Sequence, residues 1–102
     1  MTPFPCARIA KRVADSTGVP VHDMRSGRLR PPEVIEARHL AFWAVRRLTN
    51  KTTPQIGSYF NRHHASVLQA IRKIERKRDG DDEYRGKTDV LLAGCRIAME
   101  AT

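Results

Sequence analysis

The stretch Pro54–Lys77, PQIGSYFNRHHASVLQAIRKIERK, decides how the chain is read. It divides into a short helix, a tight polar break and a longer helix with one apolar face and one basic face. At 100° per residue, Val67, Ala70, Ile71 and Ile74 fall together, while Ala65, Ser66, Gln69, Arg72, Lys73 and Arg76 fall opposite. The sequence Arg62, Arg72, Lys73, Arg76, Lys77 and Arg78 is opposed by one acid, Glu75. The spacing predicts a second helix over about 65–77. Before the break, Thr53 is the expected cap and Pro54 the first helical residue, because proline lacks only an N–H that the first turn cannot use. Ile56 and Phe60 face inward, and Gly57, without a Cβ, permits a close crossing. Asn61 ends the first helix, since asparagine tolerates the left-handed conformation of a tight turn. Two helices so joined form a helix-turn-helix, with the basic face of the second free to lie against a polyanion.

Outward from this pair, the periodicity stays helical. Cys6, Ile9, Ala10, Val13 and Ala14 share a face from Cys6 to Thr17, stopped by Gly18. Pro20 starts a single turn, in which Val21 and Met24 pack down. Arg25-Ser-Gly-Arg-Leu-Arg30 is a basic loop, and arginines there suit a narrow minor groove, where the negative potential is strongest. From about Pro32 to Thr49, a broad apolar arc of Val34, Ala37, Leu40, Ala41, Ala44, Val45 and Leu48 marks a central helix. Trp43 falls on its other side, either packed under the terminal helices or marking a partner surface. Asp79–Glu83 reads as a glycine-containing loop and the start of a last helix, striped by Tyr84, Thr88, Leu91, Leu92, Cys95, Ala98 and Met99. The expected architecture is all-α, a bundle of five or six helices forming one domain over 1–102, with residues 1–5 as a loose arm.

Composition narrows the function. The 102 residues hold one small core, 40 % of them hydrophobic and 6 % aromatic. The net charge is +8, from 19 basic and 11 acidic residues, which favours nucleic acid as a partner. Cys6 and Cys95, each on an apolar face, read as buried core thiols in a reducing cytoplasm. No apolar run approaches the length of a membrane span. His22, His39, His63 and His64 lack metal-ligand spacing with the cysteines, so neither a metal, a cofactor nor a catalytic set is expected.

The residues Ile56–Glu75, IGSYFNRHHASVLQAIRKIE, together with the basic loop and Leu48-Thr49, resemble the C-terminal DNA-binding domain of the bacterial replication initiator DnaA, over roughly Ile9 to Ala98. The resemblance implies a Trp-repressor-like fold and binding to double-stranded DNA, in the bacterial nucleoid, by a monomer or weak dimer. It carries Arg28 to the minor groove and Arg38, His39 and Arg46 to phosphates. Thr53 and Pro54 match the start of the first helix of the pair, whose backbone meets a phosphate. His63, His64, Ala65 and Ser66 stand where the family has a base-reading Asp-His-Thr-Thr, and Gln69 joins them on the same face. Arg30, Arg62, Arg72, Lys73 and Arg76 complete the expected phosphate contacts.

His63 thus replaces an aspartate that caps the helix and accepts a hydrogen bond from cytosine, and histidine is the poorer cap. Ala65 loses a hydroxyl. Non-specific binding is expected to survive, with the family's usual box not the preferred site. The phosphate-binding loop G-x-x-x-x-G-K-[ST] is missing, so the DNA-reading part is expected to stand alone, as a transcriptional regulator or a modulator of replication initiation. A protein-interaction adaptor that has lost base reading is the alternative, motivated by His63-His64-Ala65 and by Trp43.

Overall fold

The central apolar arc forms a helix that the rest of the chain surrounds. A computed structural model describes residues 5–26 and 31–100, and there the chain folds into six helices: α1 Pro5–Thr17, α2 Val21–Met24, α3 Pro32–Leu48, α4 Thr53–Phe60, α5 His64–Gly80 and α6 Asp82–Glu100. Helix α3 packs against α1 and α5, and α2 and α4 also lie against it. Helix α6 closes the bundle over α1 and α5. The core between them gathers Cys6, Ile9 and Val13 of α1, Phe42, Trp43 and Val45 of α3, Ile56 and Phe60 of α4, Val67 and Ile74 of α5 and Cys95 of α6, all buried. Burying each large side chain of this kind is worth about 1.5–3 kcal/mol, which makes the shared core the main source of stability.

Trp43 is fully buried, so packing, not a partner surface, accounts for it. Its indole N–H donates to Glu75 Oε1 of α5 at 3.0 Å. The Arg78 guanidinium lies 4.9 Å from its ring centroid. Broad burial of α3, on more sides than one stripe allows, follows from its having helices on most flanks.

Several boundaries differ from the sequence expectation. Thr52, not Thr53, caps α4: its hydroxyl accepts from Gln55 N at 3.3 Å, while the Gln55 side chain accepts from Thr52 N at 2.9 Å. This reciprocal capping box uses two otherwise orphaned donors and moves Thr53 and Pro54 to the first two helical positions. Pro5 opens α1 instead of belonging to an arm; residues 1–4 lie outside the described residues. Helix α5 starts at His64 and continues through Gly80, so the expected acidic loop shrinks to Asp81. The reason is Arg78, which is buried and donates to Asp89 Oδ1 at 2.8 Å, Thr88 Oγ1 at 2.5 Å and the Arg85 carbonyl at 3.2 Å. These bonds draw the last turn of α5 against α6. Asp81 then caps α6 by accepting from Tyr84 N at 3.1 Å.

Other expectations match. Gly18 ends α1 at φ 78°, and Asn61 ends α4 in the left-handed region at φ 59°, ψ 44°.

Candidate nucleic-acid interface

Helices α4 and α5 meet closely because Gly57 leaves room: a Cβ there would overlap the Arg62 carbonyl oxygen and lie 3.5 Å from Val67 Cγ2. The chain leaves α4 through Asn61 and reaches α5 in two residues. His63 caps α5, its Nδ1 accepting from Ala65 N at 3.2 Å. Histidine thus performs the capping task expected of a carboxylate. The His64 ring lies 4.3 Å from that of His63, tilted by 32°.

Beyond the cap, α5 turns Val67, Ala70, Ile71 and Ile74 inward and leaves His64, Ala65, Ser66, Gln69, Arg72, Lys73 and Arg76 exposed. The division is that expected from periodicity. Ser66, Gln69, Arg72, Lys73 and Arg76 line an open groove of about 500 Å³, together with Ala70 and with His39 from α3. Neutral donors and acceptors therefore sit at one end of the groove and cations along the rest. Such an order suits contact with base edges and with the adjoining backbone. His39 is half-buried, and its pKa lies below the ordinary 6.5, first through burial and then through the charge of Lys73; Glu36 opposes the shift and Arg38 adds to it.

A second cluster lies at the turn. Arg25 Nε donates to the Tyr59 carbonyl at 2.7 Å, with its guanidinium 4.3 Å from the Tyr59 ring centroid. Asn61 Nδ2 donates to the Arg25 carbonyl at 3.0 Å, and Arg62 Nη2 donates to the Ser26 carbonyl at 2.7 Å. Three side chains thus moor the root of the basic loop beside the start of α5. Arg28 and Arg30, expected at the minor groove and at a phosphate, lie outside the described residues. Arg62, expected at a phosphate, is half-buried and takes part in this tie, with Nη1 donating to the Asn61 carbonyl at 3.2 Å.

The remaining expected contacts scatter. Arg38 is only 6 % exposed, and its Nε donates to the Met24 carbonyl at 2.8 Å. Its structural task is to hold the end of α2 to α3. Arg46 is exposed and donates to the Lys51 carbonyl at 3.1 Å, next to the start of α4, where Thr53 is half-buried and Pro54 exposed. Sequence reasoning placed Arg25 in the basic loop but missed its pairing with Tyr59. The two are more than thirty residues apart, and no local pattern marks such a pairing.

Among the described residues, no group of three or more His, Cys, Asp or Glu side chains could hold a metal ion. No helix there is long and apolar enough to cross a membrane.

The family described as the helix-turn-helix of bacterial dnaA protein matches residues 6–74, from α1 into α5. The chain belongs to the DnaA helix-turn-helix family. Chromosomal replication initiator protein DnaA of Thermus thermophilus is 36 % identical over 88 residues, which cover 85 % of this chain and 20 % of that protein. DnaA of Burkholderia multivorans is 38 % identical over 84 residues, covering 81 % of this chain and 16 % of that protein. The chain therefore spans about a fifth of the DnaA proteins it matches. Within the DnaA-type motif, α4 and α5 are the paired helices, and the groove with His39 joins the second of them to α3.

Proposed function

We propose that the chain is a sequence-selective, double-stranded DNA-binding module that modulates replication initiation or regulates transcription, without catalytic activity of its own. The observation that supports this best is the groove where exposed Ser66 and Gln69 adjoin Arg72, Lys73, Arg76 and His39. Helix α5 would enter the major groove, with glutamine able to bond adenine through two hydrogen bonds. Arg72, Lys73, Arg76 and Arg46 would hold phosphates. Arg28, in the basic loop that follows the tied Arg25 and Ser26, would enter the neighbouring minor groove. On this reading the protein would act on the nucleoid in the cytoplasm, as a monomer or weak dimer. The adaptor alternative loses one of its two supports, because Trp43 is buried.

A salt titration on duplex DNA tests the reading. With about six phosphates neutralised, log K should fall against log salt with a slope of about −5. Arg76→Ala should weaken all duplexes alike and reduce the slope by about 1, whereas Ser66→Ala should alter sequence preference with little change in slope. A flat salt response would overturn the proposal.

A further inference from the structure

We propose that His63 is a specificity-determining residue, a hydrogen-bond donor that selects an acceptor, guanine above all, on the base edge it meets. The inference rests on the DNA-binding reading above and deepens it. A backbone N–H can only donate, so the bond from Ala65 N to His63 Nδ1 requires a lone pair on Nδ1. The neutral ring has one N–H, which must then sit on Nε2. Because Nδ1 points back into the first turn of α5, Nε2 is directed away from the helix end. The adjacent His64 ring lies 4.3 Å away. His63 is also exposed, so its outer nitrogen is open to a partner.

An exposed Nε2–H offers a donor and no acceptor. In the major groove guanine presents two adjacent acceptors, O6 and N7, whereas cytosine presents only its N4 amine. A donor facing that amine leaves both unpaired, so cytosine is rejected. The fixed tautomer, more than the presence of a histidine, sets this selectivity: with the proton on Nδ1 the same ring would accept from cytosine.

Selection of bound duplexes from a random pool, with the wild type, His63→Asp and His63→Ala, tests the inference. Aspartate is also a good N-cap, so His63→Asp keeps the start of α5 while replacing a donor by an acceptor. At one position the wild type should favour guanine by on the order of tenfold over cytosine. His63→Asp should turn that position toward cytosine, and His63→Ala should leave it without preference while the other positions keep theirs. Replacing that guanine by 7-deazaguanine should weaken the wild type and not His63→Ala. Identical preferences in all three proteins, or a wild-type preference for cytosine at the position that responds, would overturn the inference and leave DNA binding intact. Absence of duplex binding by the wild type would overturn the DNA-binding reading as well.

Discussion

The pKa of His39 lies below the ordinary 6.5, and a bound duplex would act on the same balance of burial and charge. Burial disfavours the imidazolium, and the Lys73 ammonium of α5 repels it, with Arg38 adding to that repulsion and Glu36 of α3 opposing it. A DNA phosphate in the groove beside Lys73 would offset these effects and raise the pKa of His39, so binding would take up a proton. The sign then follows from linkage. Affinity should rise as pH falls from the bound-state pKa toward the lower pKa of the free protein. Fluorescence anisotropy with a labelled duplex between pH 8 and 5.5 checks this, and His39→Gln should remove the His39 part of the response. Stability moves oppositely. A depressed folded pKa contributes stability that is present above the ordinary 6.5 and lost as pH falls through the folded value. The same residue should therefore bind better and fold less stably in mild acid.

At the scale of elements, the arrangement depends on how closely α4 and the start of α5 can approach. Gly57→Ala would drive a methyl group into the Arg62 carbonyl, which is backbone and cannot swing aside. The substitution should destabilise the fold by about 1–3 kcal/mol, as overpacking does, and should also displace Arg62 from Ser26. Urea unfolding gives the first effect, and duplex affinity under fully folded conditions gives the second. Much of this motif was legible in the sequence, because the 3.6-residue period of Val67, Ala70, Ile71 and Ile74 fixes which face of α5 is buried. Asn61 was legible too, as one of few residues that tolerate a positive φ. Thr52 was not. Two adjacent threonines could each cap α4, and the choice was made by Gln55 three residues after Thr52, where it can return the hydrogen bond. The length of α5 was hidden for a different reason. Arg78 has the composition of a surface residue, and only the acceptors of α6 make its burial favourable. Arg38 followed the same rule, its acceptor coming from the end of α2.

For the whole molecule, the two ends of the sequence contribute to one core. Cys6 of α1 and Cys95 of α6 are both fully buried free thiols, and burial pushes each pKa up to about 11. Thiolate is the reactive species, so neither should react with Ellman's reagent at pH 8 while the protein is folded. Both should react in denaturant, with rates that follow global unfolding. Early reaction of either one would mean that its helix opens alone. The sequence indicated both thiols as core residues from their helical faces, but it could not indicate that α1 and α6 are neighbours, because pairing across the whole chain leaves no local signature.

That pairing is antiparallel and registered: Arg8 Nη1 donates to the Met99 carbonyl at 3.2 Å, and one turn further along Arg12 lies over Gly94. The first turn of α1 therefore meets the last turn of α6, across a sequence separation of 91 residues. Under tension the arrangement acts as a zipper. A pull on the two ends loads the same end of the helix pair, so Arg8 and Met99 part before Arg12 and Gly94, and the contacts yield in succession instead of shearing together. In an optical trap α1 and α6 should peel away at low force. Attachment through residues in α3 and α5, which pack against each other beneath the terminal helices, should need distinctly more.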